Sequence, residues 1–249
     1  MTGIDWLWVT AAVAIGVAAS ATIRAAVFHY AVPTEQPWRT RCPSCDVVIV
    51  RPGWGVVGSA LRPSGRCQHC ASPIGPPAAI VELLAAAALG VLAWRAGFAI
   101  ATIGLAWAAL VAVALALVDI AVHRLPDRLI LAALSGTALV FGIAAIATGD
   151  YRRLGVAALC GLGCGTFYFI IVFTSGMGLG DAKLAVLVGL ACGWYGVGTA
   201  IFAIIAGVIF NGVTAIVLLL LRRVSRKDRI AYGPLMLLGA LTAIALANI

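Results

Sequence analysis

The sequence predicts an all-α fold: a polytopic bundle of about eight transmembrane helices with a small four-cysteine loop domain on one face. Two observations predict it. The chain has 249 residues, of which 63% are apolar and only 10% charged, whereas a soluble domain has roughly 25% charged residues. The apolar excess also falls in runs of about 18–22 residues, enough to carry a helix through about 30 Å of hydrocarbon. Within hydrocarbon only helices and closed barrels satisfy their backbone polar groups. Strand-like alternation is absent from the sequence, so a helical bundle follows.

Eight spans are predicted, at 5–30, 77–94, 97–118, 129–148, 154–174, 182–195, 197–221 and 231–248. The first is not read as a cleavable signal, because Arg24 interrupts it before any small-residue cleavage site. Span six is short. Trp and Tyr near span ends suit the interfacial belt. Residues 31–76 are polar, rich in Pro, Gly and Arg, and contain four cysteines. The expected organisation is therefore a first transmembrane helix (1–30), a loop domain (31–76) and a membrane-embedded core (77–249), without internal repeats.

The net charge of +8 reads as topology rather than as nucleic-acid binding. With the N-terminus outside, thirteen Lys and Arg fall in inside loops: Arg39, Arg41, Arg51, Arg62, Arg66, Arg124, Arg128, Lys183, Arg222, Arg223, Arg226, Lys227 and Arg229. Only Arg95, Arg152 and Arg153 fall outside. That bias puts the cysteine loop on the cytoplasmic side and both termini on the other. The Arg222–Arg229 cluster is a topology signal that also suits anionic membrane lipid.

Most acidic residues have unremarkable places in loops or at ends, namely Asp5, Glu35, Asp46, Asp150 and Asp228. Two stand at helix ends on the cytoplasmic side. Asp119 follows Leu115-Ala-Leu-Val118, and Asp181 follows Gly176-Met-Gly-Leu-Gly180. Acids at the membrane edge are costly and are functional candidates by default. Between them the chain crosses out and back, so both reach the same face at one depth. Two close carboxylates in a partly dry site share a proton, because like charges cannot both ionise. One can then take a proton from water while the other donates to a carbonyl oxygen, which is direct, water-mediated amide hydrolysis. Gly178 and Gly180 let backbone approach backbone beside Asp181, although Gly-x-Gly is also a common tight turn.

Cys42-Pro-Ser-Cys45 and Cys67-Gln-His-Cys70 are two Cys-x-x-Cys pairs. Four thiolates from two knuckles suit a structural, tetrahedral Zn2+. The reducing side of the membrane disfavours disulfides. His69 reads as solvent-facing. Cys160, Cys164 and Cys192 lie in spans and read as small packing residues.

Four segments, in order, resemble one family. Asp119, six residues, then Pro126-Asp127 is similar to an Asp-x6-Pro-Asp/Asn signature. Gly178-Leu-Gly-Asp-Ala-Lys183 is similar to Gly-x-Gly-Asp-x-Lys. Ala231-Tyr-Gly233-Pro234-Leu235 resembles the Gly-Pro turn before a last helix. Cys67-Gln-His-Cys70-Ala-Ser-Pro-Ile74 with Pro77 and Val81-Glu-Leu-Leu84 resembles a cytoplasmic cysteine loop running into the second span. The chain thus resembles the type 4 prepilin peptidases, the Gly-x-Gly-Asp membrane aspartyl proteases. The resemblance implies a multi-pass enzyme of the bacterial inner membrane with Asp119 and Asp181 catalytic and facing the cytoplasm. Its partners would be prepilins or pseudopilins, whose short basic leader it removes, usually after Gly. Such substrates belong to type 4 pili and type II secretion.

Around the dyad, the expected site-shaping residues are Gly178, Gly180, Lys183, Pro126, Asp127, Gly233 and Pro234. Asp127 reads as the N-terminal cap of span four. Lys183 either biases the dyad's charge or binds substrate carbonyls, or simply anchors a cytoplasmic end. Glu82 reads as a structural hydrogen-bonding group, and His123 and Arg124 as a solvated loop. Family members begin with a Gly-Ser-Phe-x-Asn-like stretch linked to N-methylation with S-adenosylmethionine. Here Gly16-Val-Ala-Ala-Ser20-Ala-Thr-Ile-Arg24 lacks the Phe and Asn, so S-adenosylmethionine is expected only if methyl transfer is retained. The rival reading is a transporter with paired acids as an ion site. It calls for acids near the midplane and for repeat symmetry, and the sequence has neither.

Overall fold

The computed structural model describes residues 3–33, 35–51, 61–175, 178–225 and 230–247. Arg226, Lys227 and Arg229 of the charge cluster, with Asp228, lie outside the described residues, as do Gly176 and Met177. The side chain of Asp5 is likewise not described. Among the described residues the chain forms eight α-helices: α1 Gly3–Tyr30, α2 Ile80–Ala96, α3 Ile100–Val122, α4 Asp127–Thr148, α5 Tyr151–Ser175, α6 Leu179–Gly193, α7 Val197–Leu220 and α8 Gly233–Leu246. The only β contacts among them are two isolated bridges.

The ends follow local chemistry. Pro76-Pro77 and the left-handed Ala79 (φ 68°) delay α2 to Ile80, beyond the expected start at 77. Pro126 stands in extended conformation immediately before α4. Gly149, with φ 73°, lets the chain turn after α4. Helix α3 runs on to Val122, past the expected end at 118, because Ile120-Ala-Val122 continues the helix after Asp119.

Five helices are long and apolar enough to cross a membrane: α1 from Trp6, α3, α4, α5 to Thr174, and α7. The chain is thus a multi-pass membrane protein. The other three expected spans are shorter, with 17 residues in α2, 15 in α6 and 14 in α8. Helix α6 is nearly all buried from Leu184 to Gly193, as a helix enclosed by others must be.

Consecutive helices pack as antiparallel hairpins, α1 with α2, α3 with α4, α5 with α6 and α7 with α8. Around them, α6 also touches α3, α4, α7 and α8, and α8 also touches α2 and α3. Without a hydrophobic drive between helices in lipid, close approach comes from small residues. A Cβ on Gly239 would lie 2.6 Å from the Gly207 nitrogen, so α7 and α8 meet backbone to backbone. Gly189 of α6 meets the Cys160–Gly161 backbone of α5 in the same way. Cys160 and Cys192 are buried packing residues, as expected.

The cysteine loop folds back on the end of α1. Cys42, Val50, Leu61, Cys67 and Ile74 form a buried cluster with Ala25 and Phe28. Arg24 is the main tie and is fully buried. Its Nε and Nη2 donate to Glu82 Oε1 and Oε2 at 3.1 and 2.7 Å, while Nη1 and Nη2 donate to the Pro76 and Pro77 carbonyls at 2.5 and 3.0 Å. One guanidinium fork thus joins α1, the end of the loop and α2, and Glu82 has the structural role expected of it.

Candidate active site

Asp119 sits in the last turn of α3 and is 5% exposed. Its Oδ2 accepts a hydrogen bond from the Gly233 backbone N–H at 3.0 Å. Gly233 is the first residue of α8, so the carboxylate caps the positive end of that helix. The fit is tight: a Cβ on Gly233 would lie 2.9 Å from Oδ2. Pro234 follows in the first turn, where its missing N–H has no cost.

Asp181 lies in the first turn of α6 and is half-buried. Its backbone N–H donates to the Gly178 carbonyl at 3.1 Å. Its carboxylate lies back over the helix entrance, so a Cβ on Gly178 would be 3.7 Å from Oδ2. At Gly180 a Cβ would lie 2.9 Å from the Leu125 Cβ. The missing side chain there lets the loop after α3 lie against the start of α6. Helices α3 and α6 touch, one carrying Asp119 near its end and the other Asp181 near its start. The structure therefore brings Asp119, Asp181, Gly178, Gly180, Gly233 and Pro234 to one end of the bundle, with buried Pro126 closing the loop.

Two expectations for the rim change. Asp127 does not cap α4: it is the first helical residue, no side-chain cap is present, and the N-cap position is Pro126. Its exposed carboxylate accepts from Lys183 Nζ at 2.7 Å. Lys183 is thus bound to Asp127, which ties α6 to α4 at the surface. Such exposed pairs contribute about 0–1 kcal/mol. Beside them His123, in left-handed conformation (φ 50°), ends α3 with its N–H on the Asp119 carbonyl. Arg124 does not stand in a merely solvated loop; it stacks 4.5 Å over Trp38.

A residue not picked out in the sequence belongs here. Tyr168 of α5 is 2% exposed, and its hydroxyl is 2.5 Å from that of Tyr232. Tyr232 immediately precedes Gly233, whose N–H holds the Asp119 carboxylate. A lone polar tip inside an apolar span was the available signal.

The four loop cysteines form a second centre. All four Sγ atoms lie within 4.8 Å of one another. Cys42–Cys70 and Cys45–Cys67 are each 3.7 Å apart. A tetrahedral zinc with Zn–S of about 2.3 Å needs sulfurs roughly 3.8 Å apart, so the four thiols fit that ion. The two knuckles also share one hydrogen-bond register, a local repeat invisible in the residue types. Cys42 N–H donates to Val47 O and Asp46 N–H to Cys42 O, just as Cys67 N–H donates to Ser72 O and Ala71 N–H to Cys67 O. Each turn carries one left-handed residue, Asp46 or Ala71. The Ser44 backbone N–H pulls the Cys42 thiol down to about 6 against burial. The Ser72 hydroxyl lowers Cys70. Both effects favour the thiolate that a metal requires, whereas Cys45, despite the Val47 backbone hydrogen bond, is pushed up to about 12 by burial and its three neighbouring thiols. His69 is exposed and outside the group, as expected.

Residues 105–220 match the family model described as the type IV leader peptidase family. That segment holds Asp119 and Asp181, while the four loop cysteines and Gly233 lie outside it. A prepilin leader peptidase/N-methyltransferase of Pseudomonas aeruginosa is 30% identical over 215 residues, covering 82% of this chain and 70% of the relative. The protein of the same name from Stutzerimonas stutzeri is 27% identical over 212 residues, covering 82% and 71%. That from Neisseria gonorrhoeae is 27% identical over 201 residues, covering 78% and 66%. No solved structure matches the chain. With a relative this similar over most of both chains, and with the two motif aspartates inside the matched segment, the chain belongs to the type IV leader peptidase family.

Proposed function

We propose that this chain is a prepilin leader peptidase that cuts the basic leader from type 4 pilin-like precursors, using Asp119 and Asp181 together. The observation that carries the reading is that touching helices α3 and α6 bring Asp119 and Asp181 to the end of the bundle where α8 begins. The substrate's apolar helix lies in the bilayer, and its leader stays on the cytoplasmic side of the bacterial inner membrane. The Lys and Arg bias supports that sidedness.

The pair holds one proton. The ionised carboxylate takes a proton from water, whose oxygen attacks the scissile carbonyl carbon. The protonated partner donates to the carbonyl oxygen, giving a gem-diol. Collapse breaks the C–N bond, and the leaving amine takes up a proton. The two aspartates titrate as a unit, so neither is assigned a fixed role. The Gly233 N–H holds Asp119 in place, and Gly178 and Gly180 leave room for extended substrate backbone beside Asp181. A transporter reading is not favoured, since both acids lie at one end of the bundle rather than at its middle.

Cys42, Cys45, Cys67 and Cys70 would hold the zinc. When bound, it joins the two knuckles and takes no part in hydrolysis. The relatives' names also carry N-methyltransferase activity. In the segment where the family resemblance places methyl transfer, Gly16 packs onto the Ala85–Ala86 backbone. Arg24 there is fully engaged by Glu82 and two carbonyls. Engaged in this way, both residues serve the packing of α1 on α2, and S-adenosylmethionine would be a cofactor only if methyl transfer is retained.

The test is co-expression with a prepilin. Asp119→Asn and Asp181→Asn should each abolish cleavage while the protein is still made and inserted. Wild-type cleavage in either variant would end the proposal.

A further inference from the structure

We propose that the opposite end of the bundle carries a binding site for a phosphodiester anion, whose occupant is the headgroup of an anionic phospholipid. The topology sets the place. Helix α3 ends near Asp119, α4 runs back to Thr148, and α5 starts at Tyr151. Helix α6 leaves Asp181 and ends at Gly193. The start of α5 and the α6–α7 turn therefore meet at the end farthest from the two aspartates.

There Arg152, Arg153, Val156, Trp194, Tyr195 and Gly196 line a cavity of about 360 Å³. Its charge suits one phosphodiester. Arg153 Nε is paired with Asp150 Oδ2 at 2.9 Å. Arg152 has no ion-pair partner among the described residues. Two guanidinium groups against one carboxylate leave one net positive charge, which matches the single charge of a phosphodiester. The planar guanidinium fork suits phosphate oxygens.

A second donor set faces the same space. Helix α7 begins at Val197, which also lines the cavity, and no side chain caps it. Its first N–H groups are open to an anion. Gly196, at φ 122°, and Gly198 leave that approach clear, since a Cβ on either would meet nothing within 4 Å. The wall is rigid, because Trp194 is 6% exposed and its ring centroid lies 4.4 Å from that of Phe141.

The lipid, rather than a free ion, is indicated by what adjoins the cavity. From Val197 the outer face of α7 continues as exposed Ile201, Ile205 and Val208. An acyl chain can lie along that column while its phosphate stays at the arginines.

The experiment is native mass spectrometry of the purified full chain in non-ionic detergent, titrated separately with dioleoylphosphatidylglycerol, dioleoylphosphatidylcholine and inorganic phosphate. Phosphatidylglycerol should be retained over phosphatidylcholine. Arg152→Gln should weaken its retention roughly fivefold, at about 1 kcal/mol per arginine near a headgroup. Arg152→Lys should restore most of it, and the control Arg128→Gln, an exposed arginine at the start of α4 at the other end, should leave it unchanged. Retention of inorganic phosphate without phosphatidylglycerol would keep the phosphate site and overturn the lipid. Equal retention of both lipids, or no change in folded Arg152→Gln/Arg153→Gln, would overturn the proposal. Because cleavage is not the readout, this result is independent of the peptidase reading.

Discussion

Gly233 has no side chain for a reason that a contact distance makes plain. Any Cβ there would press on the Asp119 carboxylate it holds, at 2.9 Å. Gly233→Ala should displace that carboxylate and lower cleavage about a hundredfold, the usual cost of a misplaced catalytic group. Single-turnover rates of the inserted variant check this, and an unchanged rate would mean that the Gly233 contact does not position Asp119. Tyr168 acts one step further out, through its hydroxyl bond to Tyr232, the residue before Gly233. Tyr168→Phe leaves the Tyr232 hydroxyl without this partner, a loss of about 1 kcal/mol. It should lower kcat roughly fivefold with KM nearly unchanged; a change in KM alone would instead point to substrate contact. At this scale the sequence was partly legible. Asp119 and Asp181 stood out because charge is rare in hydrocarbon. Tyr168 did not, because a tyrosine in a span more often lies at an interface. The Lys183–Asp127 pair was hidden because 56 residues separate its partners, and no periodicity reports a contact between two helices that far apart.

At the scale of elements, the spans were legible because hydrocarbon imposes length and composition. The short sixth span was read too, but the knuckle register and the shortness of α8 were not, since both follow from what encloses them. The Arg24–Glu82 pair is the strongest tie between elements. Arg24→Ala would leave the Glu82 carboxylate with its fork partner gone and two carbonyls unpaired. We expect a loss of about 3–5 kcal/mol, as for other broken buried pairs, read as a fall in the thermal midpoint of the detergent-solubilised chain. Glu82→Gln keeps a hydrogen-bond acceptor and should fall less. In the loop, two knuckles with one register are joined by packing, by the Cys42 Sγ–Ser72 Oγ contact at 3.6 Å and by whatever the four thiols hold. Cys45→Ser should empty the site of zinc, measured by metal analysis, and should make residues 31–76 sensitive to protease. Zinc content equal to the wild type would show that the four sulfurs are not a joint ligand set.

At the scale of the whole molecule, the fold carries two acids on separate hairpins to one end of the bundle. Helix α3 delivers one near its end and α6 delivers the other near its start, so neither hairpin alone contains the site. Helix α8 closes the arrangement from the far end of the sequence. The same alternation sends Arg152 and Arg153 to the opposite end, away from the two aspartates. The account stands on Asp119 and Asp181 acting as one unit, and groups that act as a unit are not additive. The direct measurement is the single-turnover cleavage rate of a prepilin by Asp119→Asn, Asp181→Asn and the double variant, each reconstituted in vesicles. We predict a loss of about 10²–10⁴-fold or more in each single variant, with the double no worse than either. A single variant that cleaves at the wild-type rate, or a double variant whose loss is the product of the two, would contradict the account.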